Sequence, residues 1–385
     1  MSQGPTTIPS TAPFLHQNWV AFDSEQPRLG AEEYPIFTDA LVVGEIPALG
    51  PYDILNTVVI APPGHVRQAL VLRSQTFVAL ELGGNKGEKT AVTYYHGGAP
   101  QQEITALLSL RLGARFWAGG QSREFREDGD PLGTPRARGE HLEFALPVRS
   151  RLLPRATRQV VIDEACERQL RSVLLMKGED AGILIRAARR YQEALWAAES
   201  DPPLAWMYLV SAIEVVAGHW SKTKSSPVDR MQQFKPELVP LLKKHGGDDL
   251  VSEVASLIAD FMGATRKVVD FIVAHKPPPP PGKRSPDRVS WEDGDLRRSI
   301  RTIYQWRSRA LHGGIPFPAP MCNPPSEIET GVLTERPFGL GAHVPGATWS
   351  AKDMPMLLHI FEYLIQGALL RWWDDQGGDL AQPES

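Results

Sequence analysis

A chain of 385 residues with 42% hydrophobic content is long enough for two packed cores, at ~100 to 200 residues per domain. Its formal net charge of -4 gives no global signature of a sequence-independent nucleic-acid binder. Its only cysteines, Cys166 and Cys322, lie far apart without metal-ligand neighbours, which argues against a disulfide framework or a structural zinc site.

The opening MSQGPTTIPSTAPF has neither the basic nor the apolar region of a secretory signal. Residues 1–30, rich in Pro, Ser and Thr with little periodicity, are expected to form a flexible N-terminal arm. From Ala40 to Leu146, short runs such as ALVVGEI, LNTVVIA, ALVLRS, TFVALEL and AVTYYH alternate with Gly and Pro, which is a strand pattern. A mainly β domain is therefore expected over 31–158, interrupted by a helix at Glu103–Ala114 and followed by a strand pair over Phe116–Phe125. The loop Asp128–Pro135 reads as a tight turn, because its Asp, Gly and Pro suit turns and no further metal ligand stands at a set spacing. The Gly pairs at Gly83, Gly97 and Gly119 lack the order of a phosphate-binding loop, so this domain shows no enzyme motif and reads as a sensor or regulator.

After Pro154 the periodicity turns helical, over Glu164–Leu175, Ile183–Glu199, Ala205–Trp220, Pro227–Lys244, Leu250–His275, Asp295–His312 and Ala351–Trp373. The predicted fold is α+β, with a helical bundle over 159–385. Pro277–Pro281 cannot be helical, and 314–350 reads as a long Pro- and Gly-rich insertion. His359, Glu362 and Gln366 interrupt the apolar stretch Met354–Leu370, so no membrane span is expected, while the two lone cysteines fit a reducing, cytoplasmic setting.

One helix concentrates the chemistry. Ile300, Ile303, Tyr304, Arg307 and Leu311 recur at steps of three and four, which puts Arg307 in an apolar stripe where an unpaired guanidinium is costly. Gly313, Gly314 and Pro316 stop the helix and leave His312 near its end. An imidazole there can exchange a proton at neutral pH, or simply cap the helix. Arg307 can clamp a phosphate, or form a buried ion pair with Glu214, the only acid in the apolar run YLVSAIEVVAG. Ser308 is a candidate hydrogen-bond donor to a phosphate or an ordinary exposed helix Ser. Arg298, Arg301 and Arg309 crowd the same helix, either as a solvated face or as a phosphate-attracting surface. Tyr304 is a candidate RNA contact, with a core role as its alternative. Arg136 and His141 repeat the Arg-x4-His spacing without an amphipathic helix or a Gly stop.

Tyr304, Arg307, Ser308, His312 and Gly313 resemble the Y-x-x-R-S-x-x-x-H-G form of the motif in HEPN domains, especially the Apea-like group. The segments ARRYQEALWAA (188–198) and WMYLVSAIEVVA (206–217) are similar to that group's first two helices, so the resemblance spans roughly Ile183–Leu370. It implies a metal-independent endoribonuclease with no cofactor, in which Arg307 and His312, supported by Glu214 and Ser308, drive attack of an RNA 2′-hydroxyl on the adjacent phosphate. It also implies a homodimer with a shared cleft, RNA as partner, and a role as toxin or anti-phage abortive-infection effector under a regulatory protein or phage-derived trigger. The competing expectations are a non-catalytic HEPN module for nucleotide or RNA binding or dimerisation in a larger defence complex, and a β-domain ligand receptor.

Overall fold

The structure, a computed structural model, describes residues 12–57, 65–78, 98–126, 132–136, 152–156, 159–224, 226–258, 263–338 and 341–377. They form an N-terminal antiparallel sheet region followed by a mostly helical part, an α+β arrangement. Two compact units divide the chain: one holds Met1–Tyr208 and Leu370–Ser385, the other Leu209–Leu369.

In the first unit, Gly30–Thr38 (β1) pairs along its length with Arg67–Thr76 (β5), in which Leu70, Leu72 and Ser74 alternate inward at the two-residue period of a strand. The order continues outward from β5 through Tyr52–Asn56 (β4) to Ile46–Leu49 (β3), and from β1 through Arg123–Phe125 (β7) to Thr134–Pro135 (β8). Trp117–Ala118 (β6) also bonds β1, so the two strands expected over Phe116–Phe125 are present but pair with β1 and not with each other. Leu41–Val43 (β2) pairs in parallel with Gln159–Val161 (β9). The AVTYYH run and the Asp128–Asp130 part of the turn lie outside the described residues.

The N-terminal arm is corrected over part of its length. Phe14–Asp23 forms a helix (α1) that buries Leu15, Asn18 and Trp19. Asn18 donates through Nδ2 to Tyr52 Oη at 3.0 Å and Gln75 O at 2.8 Å, and accepts from Phe77 N at 2.7 Å. Distant partners thus fold a segment whose own composition favours disorder. Glu103, buried on Pro100–Leu112 (α2), accepts the Leu15 N–H at 2.8 Å, which satisfies one of the donors left open at the start of α1. Burial, against the backbone bonds it accepts and the charge of Arg189, pushes this carboxyl up to about 7 from an ordinary 4.5. The folded protein then holds a proton that the unfolded chain loses as pH rises from about 4.5. Stability from this group is therefore expected to decline between pH 4.5 and about 7, by on the order of 3 kcal/mol, and to level off above. Urea unfolding across this range, compared with Glu103→Gln, checks it; an equal slope in both proteins would contradict the assignment.

The expected boundary near 158 does not coincide with the edge of the first unit, which also takes in Glu164–Ser172 (α3) and Gly178–Ala197 (α4). Buried polar bonds explain this. Gln192 on α4 donates to Phe116 O at 2.7 Å. Arg115 donates from Nε to Leu195 O at 2.7 Å and from Nη1 to Asp39 Oδ2 at 2.7 Å, with Glu199 at 3.8 Å, and all three side chains are buried.

Pro202–Lys224 (α5) crosses the division between units. The second unit continues with Pro227–Phe234 (α6), Leu238–Ile258 (α7), Ala264–His275 (α8) and Asp293–Gly313 (α9), and Leu358–Gly377 (α10) crosses back. The expected helices Pro227–Lys244 and Leu250–His275 are thus redrawn as three. The division expected between Lys244 and Leu250 is present at Gly247, whose φ of 69° and ψ of -164° interrupt the helical path inside α7, while α6 ends at Phe234 and α8 starts at Ala264 within the two expected spans. The insertion 314–350 is not wholly loop: Glu327–Glu329 (β10) pairs with Val332–Leu333 (β11), and Gly341–Val344 (β12) with Ala347–Ser350 (β13). Pro355 precedes α10, which starts at Leu358 and not at Ala351.

Candidate active site

Helix α9 buries Leu296, Ile300, Ile303, Tyr304 and Trp306, as its period requires. At its end Gly314 takes the left-handed conformation, φ 63° and ψ 16°, and its N–H returns to Arg309 O. Leu311 departs from the expected stripe: it is 52% exposed, and residues 311–316 are all exposed, so the last turn of α9 stands clear of its unit's core.

Arg307 has the partner that its place in the stripe demands. Its Nη2 donates to Glu214 Oε2 at 2.7 Å, and the two side chains keep 20% and 22% exposure. Tyr304 Oη donates to the other carboxylate oxygen, Oε1, at 2.6 Å, and the Arg307 guanidinium carbon lies 5.5 Å from the Tyr304 ring centre. Burial, then the bond it donates to Glu214 and that residue's charge, hold the Tyr304 hydroxyl above its ordinary range, so it acts as a donor. Tyr304 is therefore not an RNA-stacking surface: its ring is buried and its hydroxyl is committed to Glu214. Glu214 serves Arg307 and not His312. Arg307 makes no other hydrogen bond among the described residues, and its buried Nε has no acceptor there. Nη2 is fixed by Glu214 and Nε is enclosed, which leaves Nη1 as the nitrogen that can meet an anion.

His312 is exposed in the final turn. Because α9 runs unbroken through Gly313, five residues place His312 about 7.5 Å along the axis and about 140° around it from Arg307. Within one chain the two do not converge. Ser308 is half-buried and makes no side-chain bond among the described residues. Of the other candidates, Arg298 pairs with Asp295, Arg309 stacks 4.7 Å from the Trp306 ring centre, and Arg301 is exposed with no ion pair among the described residues. Arg136 pairs with Glu124 on the sheet, and His141 lies outside the described residues.

Sequence reasoning missed one anchor. Trp306 Nε1 donates to Asp353 O at 2.8 Å and fastens the motif helix to the end of the insertion. An indole at an inward position signalled only core packing, and nothing in the pattern named its partner. Among the described residues, no three His, Cys, Asp or Glu side chains gather as metal ligands and no helix is long and apolar enough to cross a membrane. Comparison with protein-family models, curated proteins and solved structures finds no match.

Proposed function

We propose that this chain is a metal-independent endoribonuclease of the HEPN type, acting as a homodimer, with the first unit as sensor or regulator. The observation that carries this reading is the polar cluster Glu214–Arg307–Tyr304, held beside a helix end that leaves His312 in solvent five residues later. Arg307 binds the scissile phosphate and stabilises charge developing on its oxygens, while Glu214 and Tyr304 fix the guanidinium. His312 transfers the proton to or from the 2′-hydroxyl or the leaving oxygen. The azimuthal separation of Arg307 and His312 favours a cleft in which each residue meets its counterpart from a second copy. Leu311 and Ile315, 52% and 51% exposed on either side of the helix stop, give that face apolar surface for association. The resemblance further assigns a role as toxin or abortive-infection effector in the cytoplasm.

The Arg307–Glu214 bond also favours a second reading, a non-catalytic module in which the pair only orders the bundle. Incubating the full chain with RNA, with and without EDTA, separates them. The nuclease reading expects EDTA-resistant cleavage leaving 2′,3′-cyclic phosphate or its hydrolysis product. Intact RNA, or cleavage that requires added magnesium, goes against it.

A further inference from the structure

Away from the Arg307 cluster, the second unit contains a groove of about 590 Å³ between the outer face of α9 and the segments around Arg336 and Lys352. Its charged lining is Asp295, Arg298, Arg301, Arg336, Lys352 and Asp353, two more cations than acids in a chain of net charge -4. Both acids are engaged, Asp295 with Arg298 and Asp353 with the Ser350 hydroxyl at 2.7 Å. Arg301, Arg336 and Lys352 have no ion pair among the described residues, and the Nε of Arg336 is buried without an acceptor. Three cations thus face one space in which the Asp353 carboxylate, bonded to a neutral hydroxyl, is the one acid not already paired with a cation among the described residues.

The walls are fixed in advance. Trp306 bonds the Asp353 carbonyl, which holds the turn bearing Lys352. Glu335, next to Arg336, is buried, pairs with Arg284 at 2.5 Å and accepts Val289 N at 2.7 Å, and its carbonyl accepts Leu357 N at 2.8 Å. With the backbone that carries them already held, only the exposed side chains must be ordered when an anion binds.

The shape of the positive surface indicates what that anion is. At 100° per residue, Arg298, Arg301, Arg309 and His312 fall within an arc of about 80° on α9, and all four are exposed. The groove therefore opens onto a cationic line that ends at the candidate proton-transfer residue, which suits a chain of phosphates better than a single one. We infer that the groove seats the phosphodiester backbone of single-stranded RNA and leads the strand along α9 to His312. This rests on the nuclease reading for the identity of the polyanion.

The test uses the full chain and a short fluorescent oligouridylate, with affinity read by anisotropy over a range of salt in the His312→Ala background, which keeps the probe intact. Arg301→Glu with Lys352→Glu is compared with Lys243→Glu with Lys244→Glu, an equal charge change at exposed positions on α7. The groove variant is expected to lose about tenfold or more in affinity beyond the control, and its slope of log affinity against log salt to flatten by about 0.7 for each phosphate contact removed. Arg301→Gln with Lys352→Gln, both exposed and without charge reversal, is expected to lose affinity in the same direction with an unchanged circular dichroism spectrum. No binding by the starting protein, or groove variants that bind like the control with the same salt slope, overturns the inference. Cleavage by the wild-type chain is measured in parallel. RNA bound through the groove but never cut leaves the groove standing and removes the nuclease reading; RNA cut equally well by the groove variants does the reverse.

Discussion

His312→Ala is expected to lower single-turnover RNA cleavage ~10² to 10⁴-fold, the usual share of a general acid or base, with the fold unchanged. His312 is exposed and makes no hydrogen bond among the described residues, so its removal leaves no buried group unsatisfied. Arg307→Ala should lower cleavage comparably but also strip Glu214 of its cation, at about 1 to 3 kcal/mol of stability for a partly buried charged partner. Arg307→Lys, which restores charge but not the fork, separates the two effects: stability should recover more than activity. A twofold loss from His312→Ala would remove the residue from the chemistry. Mixing His312→Ala with Arg307→Ala chains tests the shared cleft. If each working site draws the two residues from different copies, half the dimers in an equal mixture carry one intact site, and about a quarter of wild-type activity returns. A mixture as inactive as its components would point to a site assembled within one chain.

Replacing Arg115 with methionine is expected to destabilise the protein by about 3 to 5 kcal/mol, the usual cost of leaving a buried charge without its counter-ion. Burial already pushes the Asp39 carboxyl upward against the opposing charge of Arg115. Without Arg115 the buried carboxylate loses the cation it bonds and keeps only the weaker influence of Arg67, which drives it to take up a proton, and Leu195 O loses its donor. Urea unfolding measures the loss, and pairing Arg115→Met with Asp39→Asn should recover part of it. A loss below about 1 kcal/mol would mean that solvent reaches Asp39.

The Arg307–Glu214 pair was legible because Arg307 is the polar exception in an apolar stripe and Glu214 in an apolar run, and two such exceptions satisfy each other. The stop at Gly314 was legible from local stereochemistry. Leu311 was not, because period says which residues share a face and not how far the covering neighbour extends. Helix α1 escaped notice because its stability comes from Glu103, Tyr52 and Gln75, all distant in sequence. The division between the helices expected over Pro227–Lys244 and Leu250–His275 was legible too, and falls at Gly247, where the backbone leaves the helical region. Arg336 and Lys352 sit in a stretch without periodicity, and only the folded chain brings them opposite Arg301.

The first unit is completed by residues from Leu370 onward. Trp373 Nε1 donates to Ser172 Oγ at 3.1 Å and Gln169 Nε2 to Asp374 Oδ1 at 2.7 Å, across 201 and 205 residues. Gly377 lies so close to Ser172 that an added Cβ would stand 2.7 Å from its hydroxyl oxygen. Joining ends that far apart on an unfolded chain costs about 5 kcal/mol of loop entropy, and less when the intervening residues are already compact. Biogenesis thus has a preferred order: Leu209–Leu369 gains by folding first, and the sheet's unit is sealed only after the ribosome has released the last turns of α10.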